Sequence, residues 1–156
     1  MQTQYSDYKT EIEKKGVIAF VPGGNSMWPT LKHRKQSVVV EKKVESLKPF
    51  DVAFYMRPNG TFVLHRVIEK IDGGYVICGD SQLTLEKVKE DSVFGKMIGF
   101  YRGKRYIEVT DPAYVREVEN FYRRKKLRRF RLKCFHFGQR VKNKLKRIFK
   151  RKSKDV

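Results

Sequence analysis

Residues 51–68, DVAFYM-RPNG-TFVLHRVI, decide the fold of this chain. Two apolar runs, 51–56 and 61–68, flank an Arg-Pro-Asn-Gly segment at 57–60. An Asn-Gly pair between two such runs is typical of a tight hairpin turn. The stretch therefore predicts two adjacent antiparallel strands.

Short strand-like runs continue on both sides of this hairpin. A helix is predicted over 6–15, and it ends at Gly16. The predicted strands outside the hairpin are 16–21, 37–41, 75–78, 94–101 and 105–109. About seven short strands at close spacing, without long helices between them, are typical of a mainly β fold. We expect a compact, coiled or barrel-like antiparallel sheet.

The charge of the chain is concentrated in its last quarter. The formal net charge of the 156 residues is +19, and residues 116–156 carry 18 of the 36 Lys and Arg but only 3 of the 17 acidic residues. Asp111 and Pro112 are favoured residues for the start of a helix. We therefore expect a β domain over 1–110, with its core at 16–100, and a basic amphipathic helical tail over 111–156.

The tail has an apolar stripe at helical spacing. Its members are Leu127, Phe130, Cys134, Phe137, Val141, Leu145 and Ile148. Three interpretations fit a basic helix of this kind: binding of residues 116–154 to an anionic membrane surface, binding to nucleic acid, or a solvated extension. The stripe favours the membrane surface, since phosphate binding alone does not need it.

Several classes of protein and site do not fit the sequence. No run approaches the ~20 apolar residues of a spanning helix, and the N-terminus lacks the pattern of a secretory signal. Cys78 and Cys134 have no partner at metal-site spacing. We expect a cytoplasmic protein, able to lie peripherally at a membrane, without a metal ion or cofactor.

Residues 23–31, GGNSMWPTL, place a serine between residues that constrain the backbone. Glycine reaches backbone angles that other residues avoid, and proline fixes φ. Such a setting suits a nucleophile that needs an exposed hydroxyl on a rigid frame, and it equally suits an ordinary turn. Ser26 is therefore a candidate nucleophile on residue pattern alone.

Two histidines precede the tail, and they differ in setting. His33 lies among Lys and Arg residues, which is typical of a surface loop. His65 lies inside an apolar strand, on one face with Val63 and Val67, where it is either a general base or a hydrogen-bonded core residue.

A base histidine needs an acceptor on its other ring nitrogen. The nearby acids are Asp80, which also suits a turn, and Glu86.

Four segments resemble the sequence boxes of the signal peptidase I clan of serine peptidases, whose catalytic fold is shared with LexA-like repressors. These segments are 24–31 (GNSMWPTL), 51–55 (DVAFY), 64–68 (LHRVI) and 79–82 (GDSQ). The His-Arg-Val segment is similar to that of the endoplasmic-reticulum and SipW-like branch, whose base is histidine. The closest likeness is to small clostridial-type proteins without membrane spans.

The resemblance implies a nucleophilic Ser26 and a general base His65, with Glu86 slightly favoured over Asp80 as the acid that orients the base. The family often has serine where this chain has Gly24, so the oxyanion would depend on the Ser26 N–H, with Asn25 as a further donor. The resemblance also implies an extended substrate beside 21–24 and 63–65, which makes Met27 and Val63 candidate substrate contacts.

The function expected from the resemblance is that of a serine endopeptidase of signal-peptidase type. It would cleave leader or precursor peptides through an acyl-enzyme. The alternatives are a LexA-like self-cleaving regulator and a catalytically impaired scaffold associated with a membrane or nucleic acid. LexA-like proteins use a Ser/Lys pair and carry a preceding DNA-binding domain, which this sequence does not match.

Overall fold

The computed structural model describes residues 3–125, with side chains from Tyr8 onward. Its helices are α1 (Thr3–Lys15), a short 3-10 helix (Glu90–Ser92) and α2 (112–125). Its strands are β1 (Val17–Phe20), β2 (Val38–Lys42), β3 (Val52–Met56), β4 (Phe62–Ile71), β5 (Gly74–Cys78), β6 (Glu86–Lys89), β7 (Val93–Arg102) and β8 (Arg105–Glu108).

The strands form one antiparallel sheet, which confirms the expected mainly β fold. Its order is β1-β2-β7-β3-β4-β5-β6, and β8 pairs with β7. The barrel-like closure we expected is wrong, since β1 and β6 remain at the two ends of this order. Both are only four residues long, and Lys87 and Lys89 on β6 are exposed. Short edge strands disfavour further pairing, and so do the lysines on β6.

The hairpin of β3 and β4 forms as its turn sequence predicts. The Arg57 N–H donates to the Thr61 carbonyl at 2.9 Å, and Gly60 adopts a φ of +80° that favours glycine. The register pairs Tyr55 with Val63 and Ala53 with His65. This register fixes the side chains that surround His65.

The sheet has an apolar layer on each face. One layer contains Leu47, Ala53, Tyr55, Val67, Tyr75, Ile77 and Val93. On the other face Ile12 of α1 is fully buried. There the rings of Tyr8, Phe20, Phe54 and Phe62 contact one another, with centroids 4.9 to 6.2 Å apart. Burial of both layers is the main term that stabilises the sheet.

The chain divides after Val115 into two units, Met1–Val115 and Arg116–Val156. The predicted start of α2 is confirmed, since Asp111 Oδ1 accepts the Ala113 N–H at 2.8 Å in an N-cap bond. The apolar stripe of the tail, from Leu127 to Ile148, lies outside the described residues, and so does Cys134. No helix within residues 3–125 is long and apolar enough to cross a membrane.

Candidate active site

Ser26 and His65 line the same groove. The groove has a volume of about 500 Å³ and lies in the first unit of the chain. One wall is the segment that follows β1, and the other is the first half of β4. The structure therefore brings the candidate nucleophile and the candidate base to the lining of one cavity.

The serine loop, residues 23–31, folds as a series of turns. Gly24 has a φ of +87°, a left-handed conformation that favours glycine. The Trp28 N–H donates to the Asn25 carbonyl at 3.0 Å, and the Leu31 N–H donates to the Met27 carbonyl at 2.8 Å. These turns present Ser26 to the groove.

The turn at 79–82 holds the serine loop from behind. The Ser81 N–H donates to the Ser26 carbonyl at 2.9 Å, and Ser81 Oγ donates to the Asn25 carbonyl at 2.9 Å. A Cβ on Gly79 would lie 2.7 Å from the Ser26 carbonyl oxygen, closer than carbon and oxygen can approach. Residue 79 must be glycine for this contact to form.

Two polar groups of Ser26, its hydroxyl and its backbone N–H, are not used in hydrogen bonds that hold the serine loop. Within residues 8–125 neither its hydroxyl nor its N–H has a hydrogen-bond partner. The Gly24 N–H, by contrast, donates to His33 Nδ1 at 2.7 Å. An oxyanion at this loop would therefore use the Ser26 N–H, and His33 has a structural contact that its surface-loop sequence did not indicate.

His65 is almost fully buried, with 1 % of its side chain exposed, and its Nδ1 faces two partners. Glu86 Oε1 lies 3.3 Å away and the Tyr55 hydroxyl 3.2 Å away. Arg57 Nε and Nη2 donate to the two oxygens of Glu86 at 2.9 and 2.5 Å. The carboxylate thus has an arginine on one side and the imidazole on the other.

These contacts define the tautomer of His65. The Tyr55 hydroxyl donates to Glu86 Oε2 at 3.1 Å, so its oxygen can accept from the imidazole. Glu86, ionised beside Arg57, can only accept. In the neutral imidazole Nδ1 then carries the proton, and Nε2 is the ring nitrogen without one.

Two pKa shifts support this arrangement. Burial, together with the charge of Glu86, raises the pKa of Tyr55, so its hydroxyl remains a donor. Burial opposes ionisation of Glu86, but hydrogen bonds from Arg57 and Tyr55 outweigh it and hold the pKa of the carboxyl below its usual range. Glu86 is therefore a carboxylate at neutral pH.

Asp80, the other acid proposed to orient His65, lies in a different network. Its two oxygens accept from Arg66 Nε and Nη2 at 3.0 and 2.8 Å, and Thr30 Oγ1 donates to Oδ2 at 2.5 Å. Arg66 Nη2 also donates to the Tyr114 hydroxyl at 3.2 Å. Arg66 follows His65 in β4 and so points to the opposite face of the sheet. The structure places Glu86 beside His65 and pairs Asp80 with Arg66 and Thr30.

The remaining predicted residues divide into two groups. Gly24, Met27 and Val63 line the groove, and Met27 is buried while Val63 is half-buried. Asn25 is exposed, and the described groove does not include it. Asn25 instead contributes its carbonyl to the turn of the serine loop.

Sequence reasoning did not identify Tyr55 and Arg57 as members of the site. A usable signal was present, because the Asn-Gly turn fixes the register of β3 and β4. That register sets Tyr55 opposite Val63, two residues from His65 on the same face. Arg57 follows at the turn, where its side chain reaches Glu86 on β6.

Within residues 8–125 no group of three or more His, Cys, Asp or Glu side chains is placed to hold a metal ion. Neither a scan against protein-family models nor a search of curated proteins gives a match to this chain.

Proposed function

We propose that this chain is a serine endopeptidase of signal-peptidase type that cleaves leader or precursor peptides. The observation that carries the proposal is the shared groove of Ser26 and His65, with Glu86 3.3 Å from the Nδ1 of the base. A nucleophile, a base and a group that orients the base are the three parts that acyl transfer requires.

The proposed reaction begins with attack of Ser26 Oγ on a peptide carbonyl. His65 Nε2 takes the serine proton, while Glu86 and Tyr55 hold Nδ1–H in place. The Ser26 N–H binds the oxyanion of the tetrahedral intermediate. His65 then gives the proton to the leaving amine, and water attacks the acyl-enzyme with His65 again as base.

The groove offers main-chain groups to an extended substrate. The backbone hydrogen bonds between Arg57 and Thr61 and between Val67 and Asp51 fix the hydrogen-bond pattern of β3 and β4. In this pattern the backbone groups of Val63 and His65 bond to β3. The N–H and C=O of Leu64, between them, therefore point away from β3. Pairing with β5 begins only at Arg66. A peptide strand could therefore pair with Leu64 by strand addition.

The test is cleavage of a synthetic peptide library, followed by mass spectrometry. We expect Ser26→Ala and His65→Ala each to lower the cleavage rate by at least ~10²-fold, because base catalysis alone contributes ~10²–10⁴. Ser46→Ala, an exposed serine outside the groove, is the matched control and should cleave at the unaltered rate.

Cleavage by both site variants at the unaltered rate would contradict the proposal. So would a library that the unaltered protein leaves intact. Circular dichroism of each variant shows whether the fold is kept, so that a loss of cleavage is attributed to the chemistry.

A further inference from the structure

One rim of the groove is basic and is held in place by its own hydrogen bonds. Lys32 and Arg34 both line the groove. The Arg34 N–H donates to the Pro22 carbonyl at 3.4 Å, and the neighbouring His33 accepts the Gly24 N–H at 2.7 Å. Residues 32–34 are therefore held by hydrogen bonds against the segment that follows β1.

The backbone at Arg34 has an unusual conformation. Its φ is +50°, in the left-handed region that residues other than glycine rarely adopt. Such conformations persist where surrounding contacts fix them, and they are frequent at functional sites. Here the result is a cationic side chain at the mouth of the groove.

The charges of the groove do not cancel. Its described lining contains Lys32, Arg34 and Arg57 and no acidic residue. Arg57 is neutralised by Glu86 at 2.5 Å. Lys32 and Arg34 make no ion pair within residues 8–125. Two exposed cations thus face an opening that carries no compensating carboxylate.

The floor of the groove is aromatic. Tyr8, Phe20, Phe54 and Phe62 line it, and their rings pack against one another. An apolar floor below a cationic rim is complementary to a chain that carries both apolar and acidic side chains. A basic segment would be repelled from the same rim.

We infer that the groove selects acidic peptides: extended segments in which a Glu or Asp side chain reaches Lys32 and Arg34 while an apolar side chain rests on the aromatic floor. The inference rests on the proposed function because it takes the bound peptide to be the substrate of the peptidase. It adds the substrate class, which the pair of Ser26 and His65 does not define.

The experiment measures binding and not turnover. Ser26→Ala protein is titrated into fluorescein-labelled Ala/Val peptides that carry one Glu at successive positions, each matched by a Gln peptide, with fluorescence anisotropy as the readout. At the favoured position we expect the Glu peptide to bind about two- to fivefold more tightly at low salt, the range that exposed ion pairs provide. The advantage should fall as salt is raised towards 1 M.

Charge reversal tests whether Lys32 and Arg34 cause the preference for Glu peptides. Lys32→Glu/Arg34→Glu should remove the preference for Glu peptides or reverse it. Lys48→Glu/Lys104→Glu makes the same change in net charge at exposed sites outside the groove, and it should leave the preference intact. This control is needed because the whole chain carries +19.

The inference is overturned if Glu and Gln peptides bind equally, if neither binds, or if both double variants act alike. Its failure is distinguishable from failure of the proposed function. Cleavage of library peptides without any preference for acidic residues would contradict the inference alone. Acid-selective binding by a protein that cleaves nothing would contradict the proposed peptidase activity alone.

Discussion

At the scale of single residues, the site depends on how Nδ1 of His65 is occupied. A histidine on a buried strand is often only a satisfied core residue. Here its partners are a carboxylate at 3.3 Å and a tyrosine hydroxyl that itself donates to that carboxylate. These contacts fix Nδ1 as the protonated nitrogen of the neutral ring, which is the tautomer that the proposed role of His65 as general base requires.

In the proposed reaction Tyr55 is a positioning residue, since it contacts His65 and does not line the groove. We expect Tyr55→Phe to lower kcat about three- to tenfold, the effect of one hydrogen bond, and to leave KM unchanged. The steady-state kinetics of peptide cleavage measure both parameters.

Tyr75→Phe is the matched control. Tyr75 is also fully buried, and its hydroxyl accepts the Leu47 N–H at 3.1 Å. Its removal should destabilise the fold by about 1–3 kcal/mol without changing kcat. Equal kinetic effects from the two variants would contradict a positioning role for Tyr55.

At the scale of elements, the serine loop is held by a turn that is remote in sequence. Residues 79–82 contact it through Ser81, and Gly79 allows the close approach. The loop's own glycines and proline shape the chain locally. They do not bring it to β4, so the turn after β5 is as much a part of the site as the loop itself.

Gly79→Ala tests this contact. The added Cβ would lie 2.7 Å from the Ser26 carbonyl oxygen and 2.8 Å from Gln82 Oε1. We expect a loss of about 1–3 kcal/mol of stability, as for overpacking, together with a drop in cleavage of tenfold or more, about 1.4 kcal/mol in the barrier. Thermal unfolding and peptide cleavage measure the two effects.

Gly23→Ala is the control for stability, because a Cβ there meets nothing within 4 Å. A Gly79→Ala protein that keeps both the melting temperature and the cleavage rate would contradict the inference that residues 79–82 hold the serine loop.

The same elements show how far sequence reasoning reaches. The β3–β4 hairpin was predictable because an Asn-Gly turn and two apolar runs agree. β6 was not, because Glu86-Lys87-Val88-Lys89 has one apolar residue and becomes a strand only by pairing with β5. The choice between Glu86 and Asp80 needed that pairing, since it carries Glu86 to the face of His65.

At the scale of the whole molecule, a few carboxylates join segments that are far apart in sequence. Glu90 Oε1 accepts from Lys43 Nζ at 3.0 Å, Ser46 Oγ at 3.1 Å and Tyr75 Oη at 2.8 Å. These hydrogen bonds, of which the one from Lys43 has the largest effect, lower the pKa of Glu90 to about 2. The ionised carboxylate is thus favoured by the folded state.

This shift predicts the pH dependence of stability. A depressed pKa contributes stability that is complete above the ordinary value of 4.5 and is lost as pH falls towards 2. Glu90→Gln removes the ionisable group. The difference in unfolding free energy between the unaltered protein and this variant should be largest near neutral pH and should shrink below pH 4.5.

Urea unfolding across this pH range measures the difference. Tyr75→Phe removes one of the donors and should reproduce part of the effect. A difference between the two proteins that stays constant down to the lowest pH at which they fold would contradict the assignment.

The hydrogen bond from Arg66 to Tyr114 has a practical consequence for dividing this protein into pieces. The Tyr114 hydroxyl lies 3.2 Å from Arg66 Nη2, and its ring lies 6.0 Å from the guanidinium. A fragment that stopped at residue 110, where the sequence suggests a boundary, would open the buried Arg66–Asp80 pair to water. A fragment that is meant to keep the groove should extend through Val115, and a fusion partner or affinity tag attached there should follow a spacer.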